Sequence, residues 1–77
     1  MDFSEALLHL KKGAKMARKG WNGKGMFCYF MDATAMIPSE DERKFRSCFG
    51  LKDINDTYGS WVPSTSDLLA NDWEFVI

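Results

Sequence analysis

Residues 14–31 read AKMARKGWNGKGMFCYFM, and how this stretch pairs with itself decides the fold. Lys15, Met16, Ala17 and Arg18 alternate polar and apolar, the period of a half-buried strand, whereas nearly every residue from Met26 to Met31 is large and apolar or a thiol. Between them, WNGKG carries Asn22-Gly23, a dipeptide at ease at positive φ. The segment therefore reads as an antiparallel hairpin with a glycine-rich loop. In its second strand Met26, Cys28 and Phe30 share one face and Phe27, Tyr29 and Met31 the other, so both faces are apolar. One face can pack on a helix. The other needs a different cover, and a second subunit is the simplest one.

That helix lies immediately upstream. Phe3, Ala6, Leu7 and Leu10 fall at i, i+3, i+4 and i+7, the apolar stripe of an amphipathic helix over residues 3–12, with His9 off the stripe and facing solvent. Asp2 can cap its start while Glu5 reaches back, and Lys11-Lys12 followed by Gly13 suits the negative end of the helix dipole and a left-handed stop. Downstream, residues 32–44 read as a charged loop around Pro38, and residues 45–54 as a third strand containing Gly50. A turn over residues 55–59 leads to a short strand through Trp61 and Val62. Ser64-Thr65-Ser66-Asp67 offers several caps for a helical turn through Leu68, Leu69 and Ala70, and WEFVI closes as a last strand. The order predicts one α+β domain over residues 1–77: an N-terminal helix packed on a small antiparallel sheet, with a short C-terminal helical turn before the last strand.

Composition narrows the functional classes. At 77 residues one core supplies only about 3–5 kcal/mol, so further stabilisation is expected from some other source. Two cysteines, Cys28 and Cys48, are too few for a disulfide scaffold, and no charged-then-apolar leader opens the sequence, which suits a reducing, cytoplasmic setting. No Cys-x-x-Cys or His-x-x-x-His spacing accompanies the single His9, which argues against a metal site. Apolar runs are too short to span a membrane. A net charge of −1 argues against a nucleic-acid polymer as partner, because binding one needs a surplus of Lys and Arg.

Catalytic templates fit poorly. Glu40, Asp41 and Glu42, like Asp53 and Asp56, lie in segments that read as solvated loops, whereas acid–base catalysis needs carboxylates shifted by burial. Gly20, Gly23 and Gly25 open no helix, so the anion site of a phosphate loop is missing, although glycine does let backbone approach a ligand closely. What stands out are six Phe, three Trp and two Tyr in so short a chain. Trp21-Asn22, Tyr58, Trp61 and Asp72-Trp73 place rings beside polar residues at loop positions, with Arg18 and Lys24 flanking the first pair. Aromatic faces stack bases, Asn can read an adenine edge, and Arg or Lys answers phosphate. The combination suits a small nucleotide.

The opening MDFSEALLHLKKGAKMARKGWNGKGMF and the closing WVPSTSDLLANDWEFV resemble short phage and prophage proteins that counter the bacterial Thoeris defence by sequestering its signal. The markers are A-R-x-G-W-N-G-K-G-M and W-x-P-S-x-x-D-L-L-A-x-D-W, and the match covers roughly residues 1–30 and 61–77. The resemblance implies a non-enzymatic sponge without a cofactor, acting in the cytoplasm of the infected bacterial host. It further implies a homotetramer holding glycocyclic ADP-ribose, or a related cyclic nucleotide, at subunit interfaces, with cyclic oligonucleotides of the CBASS defence held at separate sites in some members. The ligand-facing motif falls on Trp21, Asn22, Gly23 and Met26, beside Arg18 and Lys24, with Asp67 and Leu68 near the C-terminal turn. Between Asp32 and Tyr58 the sequence departs from the family pattern, and no contact is carried over there. The alternative reading is an interaction module that binds a host defence protein directly.

Overall fold

Helix α1 spans Phe3–Lys11, with Ala6 and Leu10 fully buried on its inner face. The Asp2 carboxylate accepts from Glu5 N at 3.0 Å, which is one half of the expected capping box. At the other end Gly13 adopts φ 99°, Gly13 N donates to Leu10 O and Ala14 N to His9 O, the paired bonds of a Schellman stop. The computed structural model describes residues 1–21, 25–32 and 46–77. The expected loop over residues 32–44 therefore falls almost wholly outside the described residues.

Beneath α1 lies a five-stranded sheet built from β1 (Met16–Arg18), β2 (Phe27–Met31), β3 (Cys48–Lys52), β4 (Tyr58–Trp61) and β5 (Trp73–Phe75), in the order β4-β3-β2-β1-β5. Every neighbouring pair is antiparallel. Between β4 and β5 a short helix, α2, spans Thr65–Leu69. The α+β architecture is the one read from sequence, and so is the hairpin of β1 with β2, registered at Met16↔Cys28. The pairing that the sequence did not reveal is β1 with β5, where Ala17 faces Glu74 and Arg18 faces Trp73. It makes β5 an edge strand, and the N-terminal ammonium of Met1 donates to Trp73 O at 2.9 Å, so the two ends of the chain meet there.

Residues directly opposite in an antiparallel ladder share a face. The rows Cys28–Leu51 and Phe30–Phe49–Trp61, together with Met16, Arg18 and Trp73, therefore look toward α1. Ala6, Leu10, Met16, Cys28 and Trp73 form the buried core there, and Phe3 packs against Trp73 at 5.4 Å between ring centroids. The opposite face carries Phe27–Lys52–Tyr58 and Tyr29–Gly50–Ser60. Within the single chain that face is partly covered: Phe27, Tyr29 and Tyr58 meet edge to face, and the ammonium groups of Lys15 and Lys52 lie over the Phe27 ring at 4.9 and 5.6 Å. Phe27 is buried without a second subunit.

Two expectations change. His9 does not stand free in solvent; it is half-buried, its ring 4.6 Å from Phe75, because pairing with β1 brings β5 under the last turn of α1. Tyr58 opens β4 instead of sitting in the turn read over residues 55–59, and it belongs to the face away from Trp21, whereas Trp61 and Trp73 lie in the strands read for them. The aromatic set divides between the two sides of the sheet.

Candidate functional site

Trp21 lies outside any strand, just past the turn that ends β1. Its indole meets Trp73 at 5.5 Å and Trp61 at 6.1 Å, both nearly perpendicular, and Trp61 meets Trp73 at 6.1 Å. The three indoles thus form one cluster at the edge of the core. Trp73 is its buried member and donates Nε1–H to Asp67 O at 2.9 Å, whereas Trp21 and Trp61 are half-buried. A ring held by its neighbours with part of its surface still open can serve as a stacking platform, since its position is set before any ligand arrives.

Beside the indoles lies an ionic trio. Arg18 donates Nη1 to Asp67 Oδ1 at 3.0 Å and Nε to Asp72 Oδ1 at 2.9 Å. Asp67 is itself fixed by a capping box, with Oδ2 accepting from Ser64 N and Ser64 Oγ, each at 2.9 Å, and Asp67 N donating back to Ser64 Oγ at 3.2 Å. Burial pushes the Asp67 carboxyl up, yet the Ser64 backbone N–H, the Arg18 guanidinium, the Ser64 hydroxyl and the Trp21 side chain together hold it below the usual carboxylate range. Asp72 is held low by Arg18 foremost and by Gly20 N, and both carboxylates in turn raise Arg18. From sequence, Arg18 is expected to answer phosphate. In the fold two carboxylates engage it, so its first role is to join β1 to α2 and the start of β5.

The glycine loop that follows is pinned at both ends. At its start Gly20 N donates to Asp72 Oδ2 at 3.0 Å, and Trp21 N closes a turn on Arg18 O. At its end Gly25, at φ 81°, offers its carbonyl to Lys52 Nζ at 2.9 Å, and Lys52 also pairs with Asp56 at 2.7 Å. Asn22, Gly23 and Lys24 lie between these anchors, outside the described residues. Of the other expected site residues, Met26 is half-buried just before β2 and Leu68 is exposed on α2; neither is among the side chains packed on the core with Trp21. From sequence, Asp72 is only the polar neighbour of Trp73 and Ser64 only a candidate helix cap. The S-x-x-D spacing of Ser64 and Asp67 was a readable signal for the cap, whereas nothing local to Asp72 announces that it reaches back to Arg18 and Gly20.

Among the described residues, Cys28 is not poised for chemistry. Burial foremost pushes the Cys28 thiol up to about 12, and its Sγ donates to Met16 O at 3.4 Å. A thiolate nucleophile is therefore disfavoured at that position. Among the described residues no three His, Cys, Asp or Glu side chains gather as they would for a metal ion, and no helix is long and apolar enough to cross a membrane.

Comparison with known proteins adds two findings. Residues 1–76 match the family model described as Tad2-like, the Thoeris anti-defense 2-like domain. The chain is also similar to a Bacillus phage SP01 protein named Thoeris anti-defense 2, with 36% identity over 84 aligned positions that cover 99% of this chain and 94% of the relative.

Proposed function

The chain belongs to the Tad2-like family of Thoeris anti-defense 2 domains, and from that premise we propose that it blocks Thoeris by binding a cyclic nucleotide signal and holding it chemically unchanged. The signal class is glycocyclic ADP-ribose or a close relative. One observation carries the reading: Trp21 is half-buried in a cluster with Trp61 and Trp73, beside a loop pinned at both ends. Such a platform suits a base or ribose, and the glycines of the loop let backbone N–H groups approach a diphosphate.

Holding rather than cleaving is supported by how the polar groups are committed. Asp67 is kept ionised by Ser64 and Arg18, and Asp72 by Arg18, so both are poor proton donors at neutral pH; His9 packs on Phe75, and the Cys28 thiol is buried. A sequestering protein must outcompete the effector it starves, which calls for about −8 to −12 kcal/mol of binding free energy. One stacked ring contributes about 1–3 kcal/mol. The remainder would come from charge-assisted bonds to phosphate and from a site preformed by assembly. Assembly as a homotetramer is part of the proposal. It is supported by large apolar side chains left open on the single chain, among them Val62 at 85% exposure, Leu69 at 76% and Leu8 at 61%.

The test is recovery. Protein incubated with glycocyclic ADP-ribose is separated from free nucleotide, denatured by heat, and the supernatant examined by mass spectrometry. The expected result is the original mass, released in proportion to protein. A linear or hydrolysed nucleotide that accumulates with time would show an enzyme, and no retained nucleotide would remove the sequestration reading.

A further inference from the structure

Asp72 grips three consecutive residues of the turn that leaves β1. Its Oδ1 accepts from Arg18 Nε at 2.9 Å, its backbone carbonyl accepts from Lys19 N at 3.1 Å, and its Oδ2 accepts from Gly20 N at 3.0 Å. The next residue is Trp21. From these contacts we infer that Asp72 is a positioning residue for ligand capture: by clamping residues 18–20 it fixes how Trp21 leaves the sheet, and so which ring face is offered to a stacked base. The inference rests on the sequestration reading for what Trp21 does, and on geometry alone for what Asp72 does.

The ring contacts do not make this clamp redundant. Edge-to-face packing is satisfied over a range of distances and tilts, so Trp61 and Trp73 set where the Trp21 ring packs more firmly than how its backbone approaches. Charge-assisted hydrogen bonds are short and directional, and Asp72 directs its carboxylate oxygens at the backbone and side chain just before that ring. Asp67 complements it from α2 by holding Nη1 of the same guanidinium. A turn fixed in this way in the free protein has little left to order when ligand arrives, which favours affinity.

Three variants of the whole chain test the inference: Asp72→Asn, Asp72→Ala and Gly20→Ala. Gly20→Ala presses on the clamp without changing its charge, because a Cβ there would lie 3.2 Å from Asp72 Oδ2. Near-UV circular dichroism reads the mutual arrangement of the indoles, and titration with glycocyclic ADP-ribose reads capture. Variants that keep the wild-type far-UV spectrum are expected to lose near-UV tryptophan signal and to bind more weakly, by no more than the about ten- to hundredfold that removal of one stacked ring costs. Asp72→Asn retains one acceptor oxygen at the same reach and should recover part of both. On a Trp21→Ala background, Asp72→Ala should weaken binding no further. The inference is overturned if folded Asp72→Asn and Gly20→Ala keep the wild-type near-UV spectrum. It is also overturned if Asp72→Ala adds to the loss caused by Trp21→Ala, which would place Asp72 on the ligand itself. Should Asp72→Ala not fold, the milder pair carries the comparison. If wild-type protein fails to bind glycocyclic ADP-ribose, the sequestration reading falls while the near-UV spectra still decide the clamp.

Discussion

At Asp67 a carboxylate has been taken almost out of water, and it stays ionised because Ser64, Arg18 and Trp21 all donate toward it. A carboxyl whose folded pKa lies below its unfolded value contributes stability that is complete above the unfolded pKa and is lost as pH falls through the folded one. Asp67 and Asp72 are both lowered. The urea midpoint should therefore hold steady near neutral pH and decline as acidity passes below about pH 4, the ordinary range of an aspartate. A midpoint unchanged down to about pH 2 would mean that the trio contributes nothing in solution. The indoles separate by burial in the same way. Trp73→Ala removes a side chain with 2% exposure. That loss should cost about 3–5 kcal/mol, comparable to the whole of what so small a core supplies, and the variant should be unfolded by circular dichroism. Trp21→Ala gives up edge contacts to Trp61 and Trp73, about 1–3 kcal/mol together. It should remain folded while losing about ten- to hundredfold in affinity for glycocyclic ADP-ribose by calorimetry.

Among the elements, β3 and α2 each depend on one small residue. Gly50 sits opposite Tyr29, and a Cβ at that position would collide with the hydroxyl end of the Tyr29 ring. Gly50→Ala should thus displace Tyr29 from Phe27 and Tyr58 and cost about 1–3 kcal/mol by thermal denaturation. An unchanged midpoint would show that Tyr29 has room to swing aside. For α2 the cap is Ser64, which donates to Asp67 through backbone and hydroxyl and accepts from Asp67 N in return. Ser64→Ala should lower stability by about 1 kcal/mol. Because Asp67 then loses a partner that keeps it low, the acid limb of the stability profile should also move toward neutral pH. A five-residue helix has little stability of its own, so the cap and the Trp73 bond to Asp67 O hold it in place.

For the whole molecule, assembly and capture are linked expectations. The chain alone leaves Leu8, Val62, Leu69 and Phe75 exposed, and the second face of the sheet is only partly covered by its own rings and lysines, with Tyr58 exposed. We expect light scattering of the protein without nucleotide to give a mass of two or four chains. A monomer at micromolar concentration would remove the assembly part of the proposal and leave capture to the single-chain site around Trp21.

The sequence by itself determined what depends on near neighbours. The stripe of Phe3, Ala6 and Leu10, the Asp2 cap and the Gly13 stop made α1 legible, because a helix is built from contacts a few residues apart. Alternation around Met16 and the apolar run to Met31 made the hairpin legible, and the family markers around Trp21 and Asp67 were written in the chain itself. Only the tertiary structure decided that β1 would pair with β5, that Trp21, Trp61 and Trp73 would meet, and that Asp72 would reach Arg18 and Gly20. Those contacts join residues about fifty positions apart in the chain, where no local period constrains the partner. A tryptophan on a turn and a tryptophan in a strand look alike in sequence until the fold places one beside the other.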